Sequence, residues 1–168
     1  KRNYAILLLL TRFGLRAGEI AALKFEDIDW ENGIITIFGK GGRKDRLPLT
    51  HDVGEAIAEY LLRGRPPCSS RCVFVRHKAP IGEFSNYMAI SSIAHRALER
   101  VGVGDDLPYK GAHLFRHTLA TEMLRQGASL GEIGEILRHR SPNTTSIYAK
   151  VDVNALKSLV KPWPGGEI

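Results

Sequence analysis

An α+β fold, mainly helical with one small antiparallel sheet or hairpin, is predicted for this 168-residue chain by three observations. Most of its length carries helix-forming residues at helical spacing, one β-branched and aromatic run stands at Gly33 to Phe38, and a glycine-rich segment behind that run lets the chain turn back. A composition 43% hydrophobic and 25% charged is that of one ordinary domain with a buried core, and it excludes a disordered or fibrous chain. The longest apolar run, Ala5 to Leu10, is too short to cross a bilayer, and the N-terminus lacks the residue order of a signal peptide. A cytoplasmic protein with no membrane partner is therefore expected.

Asn3 to Leu10 is apolar almost all round and rich in Leu, so a buried helix ending near Gly14 is expected. A chain that opens inside its own core reads as the C-terminal part of a longer protein. Ala17 to Leu23 predicts a second, short helix, and Asp27, Asp29, Asn32 and Gly33 a turn. Gly33 to Phe38 is a strand by composition, and Arg46 to Leu49 can pair with it across Gly39-Lys40-Gly41-Gly42, giving a hairpin with a basic tip. A helix follows from Thr50 or His51 to Arg63, where Gly64, Pro66 and Pro67 end it. Cys72 to Val75 reads as a short buried strand, and a loop with Lys78, Pro80 and Gly82 leads to a helix from Asn86 to Val101. Beyond a polar connection to Gly111 the chain is helical in pieces: Ala112 to Gln126, Leu130 to Leu137, Pro142 to Tyr148, and Val153 to Val160. Residues 162–168 read as a loosely ordered tail, and 1–168 as a single domain.

Cys68 and Cys72 are too few for a disulfide framework and have no second ligand pair for zinc. The net charge of +6 suits a polyanionic partner, since each phosphate neutralised by Lys or Arg releases a counterion. Charge alone identifies no function.

The segment Ala112 to Arg125 is more informative. On a wheel at 100° per residue with His113 at ~0°, Phe115, Leu119, Ala120, Met123 and Leu124 fall on one arc, and Arg116 at ~300° falls among them. His113 and Arg116 are thus expected to point with the core-facing stripe, and Thr118, Thr121, Glu122 and Arg125 to water. An inward arginine is costly unless an anion or acceptor meets it, so Arg116 is either snorkelling, buried in an ion pair with Glu19 or another acid, or the wall of a site. His113 and His117 stand at chelating spacing, but Leu114 occupies the place of the glutamate a His-Glu-x-x-His hydrolase needs, so no metal site is expected.

Further candidates stand elsewhere. Arg16 lies at a helix junction with Glu19 three residues on to orient it, and Lys40 lies on the hairpin tip between glycines that permit close backbone approach. Ser141 and Pro142 form a helix start that places Tyr148 about two turns in, with His139 just ahead. Each has an ordinary structural explanation, but those explanations do not account for the whole set arriving in this order.

With those residues in place, the chain strongly resembles the catalytic domain of the tyrosine recombinases, the phage-integrase and Xer-like family. The matching motifs are Gly-Leu-Arg-x-x-Glu at Gly14 to Glu19, the hairpin lysine in Gly39-Lys40-Gly41, His-x-x-Arg-His at His113 to His117, and His139 followed by Tyr148. Lys40 follows Arg16 by 24 positions and Tyr148 follows His139 by nine, spacings that agree with the family. Arg138 departs from it, standing where Leu-Gly-His is usual. The N-terminal helical domain that clamps the other face of the DNA in such enzymes has no counterpart in these 168 residues.

The resemblance implies cutting and rejoining of double-stranded DNA through a 3′-phosphotyrosyl intermediate, with no metal, ATP or other cofactor. Arg16 and Arg116 would clamp the non-bridging phosphate oxygens, which planar guanidiniums meet with paired, charge-assisted hydrogen bonds. His113 and His139 would donate to the same phosphate, with His113 handling the tyrosine proton. Tyr148 would be the nucleophile, since a phenol of pKa ~10 ionises more easily than an aliphatic alcohol, and Lys40 would protonate the leaving 5′-oxygen. Glu19 and His117 would support these groups, while Arg43, Lys44, Arg46, Arg138 and Arg140 are candidate DNA contacts. Family members assemble as homotetramers on two duplexes, so Val153 to Val160 is a candidate partner-docking helix, with intramolecular packing as the equal alternative. A fragment lacking the clamp domain is expected to be monomeric and to bind DNA weakly. A non-catalytic DNA-binding module of the same fold and a type IB topoisomerase-like relaxing activity are the alternatives.

Overall fold

In the computed structural model, which describes residues 1–39, 41–103, 109–139 and 144–145, the chain opens with helix α1, Arg2–Phe13. Ala5, Ile6, Leu9, Leu10 and Phe13 line its buried side, and Gly14 ends it in the left-handed conformation at φ 55°, which a residue without Cβ adopts at no steric cost. Helix α2, Ala17–Ala22, starts three residues after Gly14. Helix α3, His51–Arg63, lays Val53, Ala56, Ile57 and Tyr60 inward and packs on α1, and α4, Met88–Arg100, packs on α1 and α2. α4 begins two residues later than expected, because the Asn86 side chain accepts from the Met88 N–H at 2.9 Å and organises the lead-in.

The sheet has three strands in the order β1-β2-β3, all antiparallel: Ile28–Asp29, Ile34–Phe38 and Lys44–Pro48. Ile35 and Ile37 are fully buried on one face while Thr36 and Phe38 point the other way, the alternation of a half-buried strand. A two-stranded hairpin was expected; β1 adds to it and is too short for a period of two to show. The third strand also starts at Lys44 rather than Arg46.

Cys72 to Val75 is buried as expected but is not a strand; only Cys72 forms a bridge, to Lys24. The reason is Arg65, whose guanidinium donates to the carbonyls of Ser70, Cys72 and Val73 at 2.8, 2.9 and 3.1 Å, and so occupies acceptors that a partner strand would need.

The chain divides into two compact units, 1–117 and 118–168. Helix α5, Ala112–Arg125, begins in the first and ends in the second. In the second unit Ala120, Ile133 and Leu137 form a small core with Leu119, Met123, Leu124 and Leu130 against it. Its helix α6, Leu130–Ile136, starts at Ser129, whose hydroxyl accepts from the Glu132 N–H while the Glu132 carboxylate accepts from Ser129 N, a reciprocal capping box. Thr144 and Thr145 are helical; the expected helix from Val153 to Val160 and the tail 162–168 lie outside the described residues. Among the described residues no helix is long and apolar enough to cross a membrane.

Candidate active site

Arg16 occupies the extended residue between α1 and α2. The Glu19 carboxylate takes hold of it twice, accepting from its backbone N–H and from Nη1, each at 2.8 Å. Glu19 is 5% exposed at its side chain and Arg16 44%, so a buried carboxylate fixes a guanidinium whose remaining donors reach solvent. From the third position of a short helix the carboxylate reaches back to the orphan N–H of Arg16 at the helix start.

Arg116 is 3% exposed, and its Nη1 donates to the carbonyl of Gly14. The snorkelling expectation for Arg116 therefore does not hold. A main-chain acceptor meets the guanidinium, and the acceptor exists because α1 ends at Gly14, which frees that carbonyl from helical pairing.

Arg16, Glu19, His113 and Arg116 line one cavity of about 680 Å³ in the first unit. His113 departs from expectation: the wheel places it with the core stripe, yet it is exposed, because the first turn of α5 faces this opening instead of packed side chains. His117, one turn on, is half-buried and stacks on Tyr109 with ring centroids 4.2 Å apart; Tyr109 also tilts against His113 at 5.8 Å. Burial, then the nearby His113, lowers the pKa of His117 from the usual 6.5. The cavity also takes in Phe38, Tyr87 and Lys110, which no sequence motif marked. Phe38 read as an ordinary strand residue and Tyr87 as a helix-start residue, so only the folded chain reveals their place here.

On the hairpin Gly41 and Gly42 adopt φ of 86° and 76°, which explains the glycine-rich spacing. Lys40 between them and Gly39 lies outside the described residues. Arg43 pairs with Asp45 at 2.9 Å, Lys44 lies over the Phe38 ring at 5.5 Å, and Arg46 is exposed.

In the second unit the ring of His139 is held by Thr145, with Nδ1 and Oγ1 2.7 Å apart. Arg138 is 6% exposed, a buried position and not the surface one expected of a DNA contact, and its Nη1 donates to Ile136 O at 3.2 Å. Arg140 and Tyr148 lie outside the described residues.

The sequence pattern of the phage integrase family matches residues 1–155. The chain belongs to the phage integrase family. Among its relatives, the integrase/recombinase y4rA of Sinorhizobium fredii is 57% identical over 164 residues, covering 98% of this chain and 39% of that protein. Tyrosine recombinase XerD of Mycobacterium tuberculosis is 33% identical over 169 residues, covering 98% of this chain and 51% of the relative. This integrase-family chain thus spans about half the length, or less, of these two relatives. Among solved structures, XerA recombinase superposes with a TM-score of 0.74 at 29% identity, over 94% of this chain and 56% of that one. XerH recombinase bound to a palindromic difH substrate, in a post-cleavage complex, gives 0.75 at 28% identity, over 94% and 44%. The mainly helical fold with a small antiparallel sheet is that of the tyrosine recombinase catalytic domains.

Proposed function

We propose that this chain is the catalytic domain of a site-specific recombinase that cuts and rejoins double-stranded DNA through a 3′-phosphotyrosyl link. The observation that carries the proposal is the cavity on which Arg16 and Arg116 meet His113, each arginine held by an internal acceptor, in a chain of the phage integrase family. Two guanidiniums fixed in advance cost little reorganisation when negative charge builds on the phosphate oxygens. A phosphodiester is the chemistry that such a pair fits best.

In this reading the Tyr148 phenol oxygen attacks the phosphorus and its proton passes to His113. The bond from phosphorus to the 5′-oxygen breaks, and Lys40 gives that oxygen a proton as it leaves. The phosphate remains esterified to the tyrosine, so a DNA 5′-hydroxyl can attack in reverse and restore the strand without ATP or metal. Arg16, Arg116 and His139 hold the phosphate oxygens through both steps, and Glu19 keeps Arg16 in place. His117, packed on Tyr109, supports the helix that carries His113 and Arg116. Arg43, Lys44, Arg46 and Arg140 contact the DNA backbone. XerH has been solved with its difH substrate, which supports a DNA partner for this chain as well. In a longer protein the working unit is a homotetramer on two duplexes, and this domain alone is a monomer that binds DNA weakly.

The test is an SDS gel for protein covalently attached to a labelled pool of host genomic DNA, in EDTA, wild type beside Tyr148→Phe. The expected result is an adduct from the wild type only, with DNA binding retained by the variant. An equal yield from Tyr148→Phe would dismiss the assignment of the nucleophile, and adduct formation abolished by EDTA would dismiss the metal-free mechanism.

A further inference from the structure

Thr145 and Gly134 carry no role in the reading above, yet both converge on His139. Thr145 is 2% exposed, and its hydroxyl lies 2.7 Å from His139 Nδ1. Gly134 sits inside α6, where alanine would favour the helix. A Cβ at Gly134 would stand 3.1 Å from the Thr145 hydroxyl, however, and would press that oxygen off its position. The carbonyl of Gly134 also accepts from the His139 N–H at 2.8 Å. One residue thus fixes the backbone of His139 and leaves room for the residue that fixes its ring.

We infer that Thr145 is a positioning residue for His139. Its hydroxyl donates to Nδ1, which keeps Nδ1 an acceptor and places the single proton of the neutral imidazole on Nε2. This inference rests on the proposed role of His139 as a donor to the phosphate, because that role requires a proton on the ring nitrogen that Thr145 does not hold. A neutral imidazole has one donor and one acceptor, and the partner of one nitrogen selects the function of the other. No atom is transferred in this step; the hydroxyl selects a tautomer and an orientation.

The test begins without DNA. In a uniformly 15N-labelled chain at neutral pH, the imidazole signals of His139 should show a bare Nδ1 and a protonated Nε2 in the wild type. Thr145→Val, which keeps the shape and removes the hydroxyl, should shift the population toward the other tautomer, and Thr145→Ser should restore it. Gly134→Ala should move the signals in the same direction as Thr145→Val while leaving the helix intact. A protonated Nδ1 in the wild type, or identical signals in wild type and Thr145→Val, overturns the inference. Adduct formation with host genomic DNA then separates this inference from the reading it rests on. Thr145→Val should be slower by about tenfold or more, Thr145→Ser near wild type, and Thr145→Val should add nothing in a His139→Ala background. An unchanged rate in His139→Ala alone overturns the role of His139 itself. A slow His139→Ala that Thr145→Val slows further by its full factor overturns only the positioning by Thr145.

Discussion

Arg138 occupies a backbone angle that side chains rarely adopt. Its φ is 55°, and it lies just past the end of α6, where its N–H donates to Glu135 O at 2.9 Å and the next N–H, of His139, donates to Gly134 O at 2.8 Å. This pair of bonds is a Schellman ending, and glycine is its usual occupant because a Cβ in the left-handed region meets the following carbonyl. Arg138→Gly should therefore unfold at higher urea than Arg138→Ala by about 1 kcal/mol, since both lose the same side chain and only glycine relieves the backbone. Equal midpoints for the two variants would show that the angle carries no strain. The resemblance stated from sequence already marked Arg138 as a departure from Leu-Gly-His. What the sequence could not show is that the departure falls on a residue with positive φ, nor that the side chain is buried.

At the scale of elements, Gly111 sets how α5 begins. Its φ is 59°, its carbonyl accepts from the Leu114 N–H at 3.2 Å, and a Cβ there would stand 2.9 Å from the backbone oxygen of Ser91 on α4. Close approach of the two backbone segments at this point positions the first turns of α5, which carry His113 and Arg116. Gly111→Ala should destabilise the protein by about 2 kcal/mol or more, combining the left-handed penalty with the displacement of one backbone from another. A thermal melt unchanged from wild type would contradict that estimate. The helices themselves were legible from composition and stop signals: α1 ends at Gly14 and α3 ends at Gly64. The two-residue β1 and the carbonyl grip of Arg65 were not, because each exists only through a partner distant in sequence.

For the molecule as a whole, the apolar core is unevenly shared. The first unit buries α1, α3, α4 and the sheet around one large cluster, including Leu9, Leu10, Ile57 and Ile90 at 0% exposure. In the second unit the buried cluster among the described residues consists of Ala120, Ile133 and Leu137. Local opening is easier where fewer apolar contacts must separate. Native-state hydrogen exchange of the chain without DNA should find the slowest amides in α1 and markedly faster exchange in α6. Protection in α6 equal to that in α1 would contradict this ordering.

The sequence by itself determined the family and most of the element order, because motif spacing, helical periodicity and glycine punctuation are local properties of the chain. It also marked Arg16, Lys40, His113, Arg116, His139 and Tyr148 as a set. Only the tertiary structure decided that Glu19 is buried beneath Arg16, that Arg116 is satisfied by a carbonyl 102 residues away, and that His113 faces an opening and not the core. The physical reason is the same each time. A wheel reports which residues share a side of a helix, whereas the burial of a charge depends on which acceptor the rest of the fold brings to it.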